Sequence, residues 1–459
     1  MGGASAVAMA TGLIRGKLIA VTLGPAGVGM MGVLNQLITT LAQILGFGIG
    51  NSAVRYVAGA EGVERERRES VTYAFSLKLA VVAVAVSLIA AVPACWATFG
   101  DFDNLPIVLV ASLTAPAVIL ATAIGALLQA RGPTVSVAKA QIYSSIFAFI
   151  VGVPLILFGG MWGLVWALVA ALATPLLIMR GFIRLSFPGW RAVFRESSAA
   201  NPLIVSGFAL IGTIIVGQLS AYLTRLAIVH QLGLDHAGYY QAAFSIAGNI
   251  PAFVFAAMST DFYPRVAAAK DETEALEATE RQIKAGIMLA TPCFIGLILF
   301  SQQLLDLFYT DQFMSALALL RWMIWGVACR LVSWPMGYWL LARAKPKELF
   351  LLEGAGACLV MALTFAFVPW LGLVGSGIAF ALGALTYGVC LSVFMRRRCG
   401  RTLSAECLRW SAVAILSLAL AQFVAMQGLG MAGLTLALMV ISAPSLAGAF
   451  LALKKSPHA

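Results

Sequence analysis

Leu23-Gly24-Pro25-Ala26-Gly27 stands between two long apolar runs, and about 210 residues later Leu232-Gly233-Leu234-Asp235-His236-Ala237-Gly238 stands between two more. Three further landmarks recur in the same order. Asn51 and Arg55 match Asp261 and Arg265 at an offset of 210. Ala130-Arg131-Gly132-Pro133 is answered by Ala342-Arg343 with Pro346, and Gly160-Met161-Trp162-Gly163 by Gly372-Leu373-Val374-Gly375. Four ordered matches with so little drift define an internal repeat. Each copy holds six apolar segments, an even number, so both copies should enter a membrane in the same sense, related by an axis along its normal.

Composition places the repeat in lipid. Apolar residues make up 61% of the 459, charged residues 11%, and the mean hydropathy is +0.94, far from the composition of a soluble domain. Stretches of about 20 apolar residues give fourteen expected spans: 4–23, 28–58, 71–95, 106–129, 135–158, 161–183, 203–230, 238–263, 283–302, 316–342, 348–370, 372–395, 409–427 and 430–452. The expected fold is therefore an all-α polytopic membrane protein, with two six-helix lobes and two further C-terminal helices. The expected division is 1–199 with a cytoplasmic linker, 200–400, and 401–459. The first segment carries Arg15 and Lys17 and no cleavage site after it, so it reads as a retained span. The seven cysteines are scattered singly, without metal spacing.

Of the thirty Lys and Arg, twenty-three lie in or beside one alternate set of connections, and the opposite set has none. Charge sorted by topology is a membrane signature and not a nucleic-acid one, and it places both termini in the cytoplasm. No outer loop is long enough for a catalytic domain, and no phosphate-binding Gly-x-x-x-x-Gly-Lys-Ser/Thr loop is present, so movement of a solute must draw on an ion gradient or exchange.

The other seven cations, Arg15, Lys17, Arg55, Lys78, Arg225, Arg321 and Arg330, fall inside spans or at their margins. A base at the bilayer centre costs about 2.5–3.5 kcal/mol on insertion scales, so it should face water or a partner. Arg15 and Arg225 precede the matching turns by nine and eight residues, which puts both roughly 12–13 Å below that surface. Arg321 reads as snorkelling to the outer surface. Only Asp261 and Glu353 stand out as buried acids. A surplus of cations implies an anionic ligand and suits a pyrophosphate, which Arg can grip through two oxygens. The expected substrate-binding set is Arg15, Lys17, Arg55, Lys78, Arg225 and Arg330. Asp261 and Glu353 are the candidates for proton or sodium coupling, although Asp261 with Arg265 also fits a plain i,i+4 pair and Glu353 a solvated entrance residue. Buried Gln36, Gln129 and Gln218 suit either sugar hydroxyls or helix bridging. Pro251, Pro292, Pro335 and the cluster Gly46, Gly48, Gly50 mark places where helices bend.

The stretch Gly16-Lys17-Leu18-Ile19-Ala20-Val21-Thr22-Leu23-Gly24-Pro25-Ala26-Gly27-Val28-Gly29, with Asn35-Gln36-Leu37-Ile38 and Gly46-Phe47-Gly48-Ile49, resembles the amino-terminal signature of bacterial O-antigen and related polysaccharide flippases, the Wzx type. Gly238-Tyr239-Tyr240-Gln241-Ala242-Ala243 and Ala257-Met258-Ser259-Thr260-Asp261-Phe262-Tyr263-Pro264-Arg265 are similar to its mid-chain pattern. The resemblance implies the multidrug/oligosaccharidyl-lipid/polysaccharide exporter superfamily, two lobes around a central cavity, and an undecaprenyl-pyrophosphate-linked oligosaccharide turned across the bacterial inner membrane. It also implies possible partners among glycan polymerases and other assembly proteins, and places Arg15 and Arg55 where related flippases carry functional arginines. Two spans beyond twelve depart from many members of this type. A cation-coupled drug antiporter of the same fold would favour acids over bases in its cavity. A membrane glycosyltransferase or polymerase would need a long outer loop.

Overall fold

The computed structural model describes residues 2–132, 134–183, 201–343, 346–401 and 403–454, and among them every regular element is a helix. Hydrocarbon offers a backbone N–H or C=O no water, so a spanning segment must satisfy its own hydrogen bonds. The chain does so in α1 (Gly2–Leu45), α2 (Ile49–Val57), α3 (Gly62–Phe99), α4 (Leu105–Ser112), α5 (Ala115–Ala130), α6 (Thr134–Phe182), α7 (Asn201–Leu232) and α8 (Leu234–Ala268). It continues through α9 (Glu272–Leu299), α10 (Ser301–Phe308), a 3-10 turn at Asp311–Ala316, α11 (Leu317–Ala342), α12 (Pro346–Leu371), α13 (Leu373–Cys399), α14 (Ala405–Met426) and α15 (Met431–Lys454).

Eleven stretches of the described residues are long and apolar enough to cross a membrane, against fourteen expected. Two of the eleven, in α1 and α6, each hold two of the expected spans joined at a non-helical glycine, Gly24 (φ 63, ψ −163) and Gly160 (φ 54, ψ −134). The eighth expected span lies in α8, where several side chains, that of Asp261 among them, fall outside the described set. Span two is interrupted, as its glycines suggested: α1 stops at Leu45, Phe47 takes φ 45, and α2 starts after Gly48 at φ 61. Span four also breaks, at Leu113-Thr114, where Pro116 has no N–H to continue the ladder.

The repeat is visible as geometry. Gly372, the mate of Gly160, has φ 60 and ψ −149, close to the same conformation. A Cβ on Gly163 would overlap the carbonyl oxygen of Leu155, eight residues back, and a Cβ on Gly375 that of Phe367, also eight back. The two Gly-x-x-Gly segments therefore make one turn twice. At the other landmark, a Cβ on Gly29 would strike the Leu234 carbonyl and one on Gly238 the Pro25 carbonyl. Pro25 and Leu234 are repeat mates 209 residues apart, as are Gly29 and Gly238, so the contact is reciprocal.

The chain divides into two compact units, Met1–Gly238 and Tyr239–Ala459. Within the first, α7 is held by side-chain hydrogen bonds: Gln36 Nε2 donates to Gln218 Oε1 at 2.8 Å, Thr40 Oγ1 to the Gln218 carbonyl at 3.3 Å, and the Thr98 and Tyr222 hydroxyls are hydrogen-bonded to each other at 3.1 Å. Gln36 and Gln218 thus bridge helices. Glu69 of α3, only 3% exposed, receives Arg131 through two bonds of 2.8 and 2.5 Å.

Within the second unit, α14 and α15 pack along α9, and Ile283, Ile287, Met336, Trp339, Leu391 and Cys407 share a core that joins four helices. Both ends of α14 are held by charge. Glu280, 5% exposed, accepts from the Ser404 N–H at 2.7 Å and lies 3.5 Å from Arg401. At the far end Arg321 donates to the Ala425 carbonyl at 3.2 Å and to Ser301 Oγ at 3.0 Å. An acid at the helix start and a cation at its end match the macrodipole. Arg321 is accordingly turned to its neighbours instead of snorkelling outward.

Gly163→Ala and Gly375→Ala should each lower the stability of the purified protein by about 1–3 kcal/mol, the cost of overpacking. Gly181→Ala, where an added methyl meets nothing within 4 Å, should leave it unchanged. Thermal unfolding in detergent, followed by tryptophan fluorescence, reads the difference.

Candidate functional site

Small and polar residues recur on one face of the first leg of α1, at Ala8, Thr11, Gly12 and Arg15, a helical i, i+3, i+4, i+7 spacing. The start of α6 presents Val137, Gln141, Ser144, Ser145 and Ala148 at the same periodicity, and its returning leg Ala171, Pro175 and Met179. These three faces enclose a cavity of about 350 Å³ in the first unit. A neighbouring cavity of about 440 Å³ shares Val137, Ala171, Pro175 and Met179 and extends to Gly50 of α2 and to Thr122 and Gln129 of α5. Thr122 and Gln129 are exposed, so the wider cavity reaches the surface of the unit.

Arg15 is the cation of this cavity. Among the described residues none forms a hydrogen bond or ion pair with its guanidinium, and the same holds for the side-chain amide of Gln141. The hydroxyls beside them have spent their protons on their own helices: Ser144 Oγ donates to Ala140 at 2.7 Å, Ser145 Oγ to Gln141 at 2.8 Å and Thr11 Oγ1 to Val7 at 2.9 Å. The cavity thus offers N–H donors from a guanidinium and an amide, and acceptor lone pairs from three hydroxyls. Such an arrangement can hold an anion that carries hydroxyl groups.

The other expected residues are spread more widely. Arg225 is 3% exposed on α7 and donates to the Ala221 carbonyl at 3.1 Å; it and Lys17 are both engaged by neighbours. Arg55 is exposed near the end of α2, and Lys78 is half-buried on α3. None of these lines the Arg15 cavity. In the second unit two residues expected in separate roles form one group: Arg330 lies 3.8 Å from Glu353, and Tyr387 donates to Glu353 at 2.6 Å. Glu353 is therefore anchored by two partners and is not a freely solvated entrance residue. Asp261 lies in α8, its side chain outside the described set.

Sequence reasoning passed over Gln141, Ser144, Ser145 and Thr11, although polar residues three and four apart in an apolar span were a usable signal. Glu69 and Glu280, which sequence reasoning did not single out, are also buried acids with partners. In a double-mutant cycle, Arg330→Gln and Glu353→Gln should show a coupling of about 0.5–3 kcal/mol, the range for residues in contact. Unfolding of the two single variants and the double variant measures it; purely additive losses would mean that the two do not interact.

The profile of a family described as "Polysaccharide biosynthesis protein" matches residues 18–318. The lipid III flippase of Escherichia coli K12 is 25% identical over 405 residues, covering 85% of this chain and 96% of its own, and the lipid III flippase of Shigella flexneri matches equally. Among solved structures, the lipid II flippase MurJ in an inward closed conformation superposes with a TM-score of 0.73 at 13% identity, covering 96% of both chains. An inward-facing multidrug resistance MATE transporter of the MOP superfamily gives 0.68 at 14% identity, covering 87% of this chain and 94% of its own. With its all-helical fold like that of these two solved structures, the chain belongs to the polysaccharide biosynthesis protein family.

Proposed function

We propose that this protein is a flippase for a lipid-linked glycan, carrying an undecaprenyl-pyrophosphate-linked oligosaccharide such as an O-antigen unit across the bacterial inner membrane by alternating access. The observation that carries the reading is the Arg15 cavity, where a guanidinium without an acidic partner lies in a membrane-spanning unit. A base so placed is costly unless water or an anion meets it, and a diphosphate is an anion that Arg can bind through two oxygens. The lipid III flippases, which align over 85% of the chain, support a lipid-linked substrate. The sorting of basic residues along the sequence supports termini in the cytoplasm. Lys17, Arg55, Lys78 and Arg225 would act as further cations along the route, and glycan polymerases and other assembly proteins as partners. A drug or cation antiporter fits less well, because the cavity's unpaired charge has the wrong sign.

The test is reconstitution. Proteoliposomes should turn over an undecaprenyl-diphosphate-linked glycan, and Arg15→Gln should reduce the rate at least tenfold while the protein still inserts and melts normally. Full transport by Arg15→Gln would overturn the role of the cavity, and no transport by the unsubstituted protein would overturn the function.

Coupling to proton or sodium flow is part of the same proposal. Asp261 has Asn51 as its repeat mate, so only one of the two positions can change charge, and a one-sided switch can bias a two-state equilibrium. Asp261→Asn should keep substrate binding and lose the dependence of transport on the gradient. If gradient dependence survives, Glu353 becomes the site to examine, with Glu353→Gln as the next variant.

A further inference from the structure

We infer that the hydroxyl-bearing wall of the Arg15 cavity reads the first sugar of the substrate, the one joined directly to the diphosphate, and that Gln141 supplies the second N–H donor to the anion. The inference rests on the lipid-linked diphosphate reading above and deepens it.

Hydrogen-bond bookkeeping divides the cavity into two kinds of surface. The side chains of Arg15 and Gln141 are its donors, and neither side chain has a partner among the described residues. Thr11, Ser144 and Ser145 each use their one proton on a helix carbonyl, so toward the cavity they present lone pairs. Lone pairs repel phosphate oxygens and attract O–H and N–H. A bare phosphate would satisfy the donors and leave the wall idle, whereas a sugar phosphate satisfies both. Ser144 is 4% exposed, so its lone pairs have little access to bulk water and favour a ligand that supplies a proton.

Size limits which part of the ligand fits. A cavity of about 350 Å³ is at the small end of ligand sites, which run from about 300 to 1,000 Å³. It suits a headgroup fragment, not a whole oligosaccharide. The adjoining cavity of about 440 Å³ is lined by the exposed Gln129, past which the rest of the glycan can extend. Discrimination would thus concern the first sugar and leave later sugars free to vary.

The experiment compares three ligands on the full-length protein in nanodiscs: undecaprenyl diphosphate, the same lipid bearing one N-acetylhexosamine, and phosphatidylglycerol as competitor. A neutral hydrogen bond is worth about 0.5–1.5 kcal/mol, so the sugar-bearing lipid should bind about fivefold more tightly than the bare one. In the Ser144→Ala/Ser145→Ala variant that ratio should fall to near one, and Ser145→Thr should retain it. Gln141→Leu and Arg15→Gln should weaken both lipids. A ratio near one in the unsubstituted protein, an unchanged ratio in the double alanine variant, or displacement by phosphatidylglycerol as readily as by the bare lipid would overturn the inference while leaving the anchoring role of Arg15 intact. Equal binding of both lipids by Arg15→Gln and the unsubstituted protein would instead overturn the reading on which it rests. Melting temperatures matching the unsubstituted protein establish that each variant is folded.

Discussion

A peptide group in hydrocarbon has no solvent to turn to, and the architecture follows from meeting that demand residue by residue. Long helices meet it within themselves. Where the chain reverses, at Gly24, Gly160 and Gly372, the reversal takes a single non-helical residue, and few backbone groups are left open. Two spans nonetheless break in mid-course, at Gly46–Gly48 and at Leu113–Thr114. Such breaks are tolerated in a membrane only where protein or water covers them. The first stands close to Gly50, which lines the wider of the two cavities. Phe47 holds a left-handed backbone there without glycine's freedom, a strain that the surrounding packing must maintain.

Charge obeys a related demand, since an ion removed from water needs a partner. Glu69 with Arg131, Glu280 with Arg401 and the Ser404 N–H, and Glu353 with Tyr387 and Arg330 all meet it within the protein. Arg321 meets it at the carbonyl end of a helix. Against these, Arg15 stands apart, because its surroundings contain amide and hydroxyl groups but no carboxylate. Fixed structural pairs and a cation left for a ligand are separate uses of the same chemistry, and only the neighbours distinguish them.

The repeat was legible because glycines at turns are needed for their shape, and Gly160-Met161-Trp162-Gly163 and Gly372-Leu373-Val374-Gly375 kept both the conformation and the carbonyl approach. The excess of cations was legible for a similar reason: a base in an apolar run is conspicuous. Which of them pairs was not. Arg330 and Glu353 lie 23 residues apart on separate helices, and whether they meet depends on how those helices rotate and slide, which periodicity leaves open. The cavity wall was hidden differently. Serine and threonine in a helix usually bond back to their own turn, so Ser144 and Ser145 look unremarkable until a guanidinium is seen across from them. The break after Leu113 had a signal in Pro116, and its weight was lost within an otherwise continuous apolar run.

The backbone angles at Gly24, Gly160 and Gly372, near φ 60 and ψ −150, invert almost to those of extended polyproline chain, near −75 and +145. Each reversal therefore contains one residue in the mirror image of an ordinary L conformation. Handedness, more than size or polarity, decides what these positions accept: a D-alanine would sit there without strain, whereas L-alanine, the smallest chiral alternative the genetic code provides, would meet its own carbonyl. Among the proteinogenic residues only the achiral one serves, so at these three points the fold is specified by symmetry.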